Sequence, residues 1–102
     1  MHFIIENNIN QLNEICMNFD VKRLYVFGSL STDKFDENTS DIDLIVEFDQ
    51  MDPIQKGEKL INIWNEFEEL FGKRVDLLSR TQVRNPYLQI GIDATKKLIY
   101  EA

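Results

Sequence analysis

GSLSTDKFDENTSDIDLIVEF, residues 28–48, sets a Gly-Ser pair ahead of an acidic loop that then enters an apolar run broken by aspartates. DLIVEF, 43–48, is apolar on both alternating faces, the pattern of a strand covered on both sides. Side chains at i and i+2 of a strand point the same way, with Cα atoms roughly 6–7 Å apart. Asp41 and Asp43 therefore project together at the mouth of a strand that otherwise reads as core. A third acid, Asp76, interrupts RVDLLS, 74–79, in the same manner.

Reading outward from this stretch, VKRLYVF, 21–27, is rich in β-branched and aromatic residues and stops at Gly28, which predicts a strand. Ile9, Leu12, Ile15, Cys16 and Phe19 recur at helical spacing and predict a first helix over roughly 7–19, with Cys16 a small core residue on its apolar stripe. Asp52-Pro53 reads as an N-cap followed by proline at the first helical position. Leu60, Trp64, Phe67 and Phe71 follow on one helical face, with Trp64 a core anchor, and Gly72 is placed to end the helix. Asn85-Pro86 repeats the cap-and-proline signal for a last helix, with Leu88 and Ile92 facing inward. KLIYE, 97–101, is a candidate for one more short strand. The order helix, strand, strand, helix, strand, helix predicts an α/β (α+β) fold, a small mixed sheet flanked by helices. Without an internal repeat or linker-like stretch, residues 1–102 are expected to form one domain.

A hydrophobic content of 43% with 11% aromatics fits a folded chain rather than a disordered one. No apolar run reaches membrane-spanning length and the start, MHFIIENN, lacks a leader pattern, so a soluble, cytoplasmic protein is expected, with no membrane partner. His2, near the terminus, reads as incidental, and the lone cysteine agrees with a reducing compartment. A net charge of -7 argues against a broad nucleic-acid-binding face. The charge is uneven: residues 1–72 carry -10, whereas residues 73–102 carry +3. A solvated surface would produce that asymmetry, and so would a polyanion lying between an acidic, metal-loaded edge and a basic one.

The 32 residues between Asp43 and Asp76 accommodate a crossover helix and return the chain to an adjacent strand, so three carboxylates could converge at one sheet edge. Two carboxylates about 4 Å apart repel by on the order of 4 kcal/mol at an effective dielectric near 20. Either the acids take up protons or a cation sits among them. Oxygen-only ligands favour hard ions, and magnesium binds through one or two carboxylates plus substrate phosphates. Gly28 allows close backbone approach, and Ser29 adds a hydroxyl donor to a turn suited to phosphate. Blander readings exist. DKFDENTSD could be only a solvated loop, or the aspartates could be structural. A calcium loop starting at Asp36 lacks its glycine, because Asp41 stands there, and is flanked by a strand where a helix is needed.

With these residues in view, the chain resembles a minimal nucleotidyltransferase of the polymerase-β-like superfamily, carried by YVFGS (25–29), SDIDLIVEF (40–48), RVDLLS (74–79) and KKLIYEA (96–102). The resemblance covers nearly the whole chain, and the combination of Gly-Ser, spacer, Asp-x-Asp and distant strand Asp is specific. It implies that Gly28 and Ser29 hold a nucleoside triphosphate, ATP, while Asp41 and Asp43 ligate two magnesium ions. Asp76 would ligate the catalytic metal and help deprotonate an attacking hydroxyl. In-line attack at the α-phosphorus then transfers the nucleotide and releases pyrophosphate. Eleven residues separate Ser29 from Asp41, one more than the family's usual spacer, and Leu30, Ser31 and Thr32 stand where an arginine is common. Arg80 or Arg84 is a candidate for the missing charge.

Minimal members of that family resemble antitoxins paired with HEPN-domain toxins, to which they transfer AMP at a tyrosine. The resemblance thus implies an ATP-dependent protein adenylyltransferase with a HEPN toxin as partner. A nucleotidyltransferase acting on a small-molecule acceptor and a non-catalytic protein-binding module are the alternatives.

Overall fold

The computed structural model describes residues 3–28, 41–79 and 85–102. Ser29, the 30–40 loop, Arg80 and Arg84 lie outside the described residues, as does His2. In chain order the elements are α1 (Phe3–Glu6), α2 (Ile9–Asn18), β1 (Val21–Phe27), β2 (Ile42–Phe48), α3 (Pro53–Phe71), β3 (Val75–Ser79), α4 (Pro86–Thr95) and β4 (Lys97–Glu101). The sheet order is β3-β2-β1-β4. β1 is antiparallel to both β2 and β4, and β2 runs parallel to β3, so the sheet is mixed as predicted.

Strand parity decides what faces the core. Leu24 and Val26 of β1, Ile42, Leu44 and Val46 of β2, and Val75 and Leu77 of β3 pack into one buried cluster with Leu12 and Cys16 of α2 and Ile63, Phe67 and Phe71 of α3. The intervening side chains, Tyr25, Phe27, Asp43, Ile45 and Asp76, alternate to the other face of the sheet. Burial pushes the Cys16 thiol up to about 12, which leaves it a hydrophobe and no nucleophile.

The caps form as the sequence indicates. The Asp52 carboxylate accepts from the amides of Ile54 (3.1 Å) and Gln55 (3.3 Å), and Gly72 ends α3 at φ +61°. Asn85 accepts from Tyr87 (2.9 Å) and Leu88 (3.4 Å) at the start of α4. The first helix forms within the predicted span as α2, and the short α1 precedes it, with the Asn8 side-chain amide donating to the Ile4 carbonyl at 2.8 Å. One expectation changes. Leu88 is 46% exposed, while Ile92 is buried. α4 docks through its last turn, where Thr95 meets Gly28 and Lys96 lies over the Tyr25 ring at 5.1 Å, so its first turn stands clear.

α3 also fixes the start of β3. The Trp64 indole N–H donates to the Val75 carbonyl at 2.7 Å, and the Val75 amide donates to the Glu68 carboxylate at 3.0 Å. The anchor expected of Trp64 is therefore a specific clip one residue ahead of Asp76. Trp64→Phe keeps an aromatic ring but orphans the carbonyl. It should lower stability by about 1–3 kcal/mol, read as a drop in the urea midpoint followed by circular dichroism. An unchanged midpoint would show that water replaces the indole without loss.

Candidate active site

The parallel register of β2 and β3 sets Asp43 directly beside Asp76, and the antiparallel register of β1 and β2 sets Phe27 beside Asp43. Paired residues of neighbouring strands share a face, so both carboxylates stand on the side of the sheet away from α2 and α3. Asp76 is exposed and Asp43 is half-buried.

Asp41 lies just before β2, next to Arg74, which lies just before β3. The Ile42 amide donates to the Arg74 carbonyl at 3.0 Å, and the Arg74 guanidinium Nε is 3.9 Å from the Asp41 carboxylate. Both side chains are largely exposed, so this ion pair steers Asp41 more than it stabilises the chain. The Arg74 contact could have been anticipated only from the register that opposes Ile42 to Val75, since nothing local in KRVDL marks it.

Gly28 closes the site from β1. Its φ is +69°, and a Cβ there would fall 2.5 Å from Asp43 Oδ2. Glycine is thus required twice, for the left-handed backbone and for room beside the carboxylate. The Gly28 amide donates to the Thr95 hydroxyl at 3.3 Å, a contact between positions 67 apart that no sequence signal announces.

Burial, then the charges of Asp76 and Asp41, push the Asp43 carboxyl up to about 6. Asp43 therefore lies within the electrostatic reach of both other acids. Among the described residues, however, no three His, Cys, Asp or Glu side chains form a ready-made metal cage. The donor set is oxygen only, open on one side, and short of negative-charge compensation. Those properties fit a hard divalent cation whose remaining positions are filled by phosphate oxygens and water.

The raised Asp43 value has a thermodynamic consequence with a definite sign. Folded Asp43 keeps its proton up to about pH 6, above its ordinary 3.8. Its contribution to stability is full below the unfolded value and is lost as pH rises through 6. In chelator-treated protein, Asp43→Asn should therefore be more stable than wild type at pH 7.5. The gain should be on the order of 1 kcal/mol, after discounting for the half-exposed carboxyl, and should vanish near pH 4. Urea melts at the two pH values check this, and an unfolded variant would mean that Asp43 is structural. Gly28→Ala should cost about 1–2 kcal/mol for the left-handed backbone and displace the Asp43 side chain, read by urea melts and by the Asp43 carboxyl carbon resonance.

Comparisons with known proteins bear on the family and the fold. The chain matches the Polbeta family, described as Polymerase beta, Nucleotidyltransferase, over residues 10–102. A relative in Methanocaldococcus jannaschii, named as a candidate protein adenylyltransferase, is 35% identical over 82 residues, covering 80% of this chain and 78% of its own. A second protein so named from that organism is 33% identical over 87 residues, covering 85% and 83%. Among solved structures, a candidate minimal nucleotidyltransferase superimposes with a TM-score of 0.65 at 22% identity, covering 91% of this chain and 90% of that one. A chain from a tri-AMPylated Shewanella oneidensis HEPN toxin in complex with MNT antitoxin gives 0.60 at 20% identity, covering 95% and 72%. A toxin-antitoxin structure with AMP-PNP gives 0.66 at 22%, covering 93% and 74%. At such identities these structures bear on the fold, whereas the family match over residues 10–102 and the closer relatives bear on descent. On that basis the chain belongs to the polymerase beta nucleotidyltransferase family.

Proposed function

We propose that this chain transfers AMP from ATP to a hydroxyl, most plainly a tyrosine, of a helical partner protein of the HEPN type, and so acts as an antitoxin. The single observation that carries the reading is Asp43 held beside Asp76 in register, with Gly28 packed against Asp43. Two strand carboxylates forced together on an open edge have little structural use and an evident chemical one. The relatives named as protein adenylyltransferases and the neighbouring MNT–HEPN complex support the acceptor class.

In this reading Asp41, Asp43 and Asp76 hold magnesium, and the Gly28-Ser29 pair holds the triphosphate. Bound magnesium supplies positive charge to the phosphate oxygens and to the departing pyrophosphate. Asp76, exposed on the edge strand beside Asp43, accepts the proton of the attacking hydroxyl. A bond forms between that oxygen and the α-phosphorus as the bond to pyrophosphate breaks. The chain's main work is orientation and charge placement. A protein acceptor suits the surface of α4, where Tyr87 is 83% and Ile90 67% exposed. Among the described residues no helix is long and apolar enough to cross a membrane.

Incubation with α-labelled ATP, magnesium and a helical protein encoded beside this chain should place label on a partner tyrosine. Asp43→Asn and Asp76→Asn should each reduce transfer by at least about a hundredfold, and chelation should abolish it. Label appearing on a small acceptor would replace the protein acceptor. A stable complex without transfer by wild type would make the chain a binding module.

A further inference from the structure

The geometry points to Thr95 as a positioning residue for the Gly28 turn, and hence for triphosphate binding at the site proposed above. A threonine near a helix end commonly donates its hydroxyl hydrogen to the carbonyl four residues back, and Thr95 does so to Gly91 at 3.0 Å. That bond alone would be unremarkable local chemistry. It has a second effect here, because with the hydrogen committed to Gly91 the oxygen presents only lone pairs. One of these accepts the Gly28 amide at 3.3 Å. The hydroxyl is thereby oriented as an acceptor before Gly28 arrives.

Thr95 is itself held from both sides. Preceding it, Ile92 is buried. Following it, Lys96 lies over Tyr25 of β1 and Lys97 pairs with Val26, so the chain is fastened to the strand that ends at Phe27. The anchor is therefore stiff, and the residue it holds is the one with no freedom to spare. Gly28 sits at φ +69° with its Cα against the Asp43 carboxylate. A turn that drifts would move away from Asp43 and change the direction in which the chain leaves toward Ser29. Thr95 touches neither phosphate nor metal in this account and acts through Gly28.

Two substitutions separate the hydroxyl from the shape of the side chain. Thr95→Val keeps the branched volume and removes the acceptor, whereas Thr95→Ser keeps the acceptor. In metal-free protein, the Gly28 amide should be protected from hydrogen exchange in wild type and in Thr95→Ser. Protection should fall at least tenfold in Thr95→Val, with Leu44 and Val46 in the neighbouring strand unchanged. In the transfer reaction, KM for ATP should rise about tenfold in Thr95→Val with kcat changed less than threefold, and serine should restore it. Equal Gly28 protection in wild type and Thr95→Val would overturn the proposal. So would a KM raised equally by valine and serine, which would mark a helix-packing effect. The kinetic arm rests on the transferase reading, but the exchange arm does not. A wild-type chain with no transferase activity fells that reading alone, and Gly28 exchange then still decides the role of Thr95.

Discussion

Two carboxylates that repel are held side by side because the backbone of β2 and β3 leaves them no alternative. Register puts Asp43 beside Asp76, and moving either away means slipping a strand whose opposite face is core. A one-residue slip would turn Leu44 and Val46 outward and bury Asp43, at a cost far above the repulsion it relieves. The burial of Ile42, Leu44, Val46, Val75 and Leu77 therefore holds an unfavourable charge pair in place. Burial first, and then the neighbouring charges of Asp76 and Asp41, raise the Asp43 carboxyl above its ordinary range.

The rest of the fold can be understood as support for this arrangement. α3 reaches over the sheet and clips both backbone groups of Val75 through Trp64 and Glu68, fixing the residue before Asp76. β1 brings Gly28 against Asp43 from the other side. α4 and β4 return the chain to β1 and meet the same turn through Thr95 and Lys97. The helices α2 and α3 cover one face of the sheet, so Asp43 and Asp76 fall on the opposite face together with Phe27. The division follows from strand alternation alone, since residues of one parity are claimed by the core.

Much of this could be read locally. The caps at Asp52 and Asn85, the stop at Gly72, the stripe along α3 and the alternation in β1 to β3 are all contained within a few residues of chain. The Gly-Ser, Asp-x-Asp and strand-Asp pattern pointed to the site and to the family. Leu88 misled because helical spacing describes a face without saying whether anything covers it. The short α1 was missed because its four residues make a single turn, too brief for a helical period to show.

By itself the sequence determined which residues are strand, which are helix and which acids interrupt an apolar run, because these depend on period, capping and turn chemistry. Only the tertiary structure decided that Asp43 faces Asp76 in register, that Asp41 turns to Arg74, and that Thr95 meets Gly28 across 67 positions. The reason is physical. Strand pairing and helix seating are set by burial summed over the whole core, a quantity that no short stretch of sequence contains.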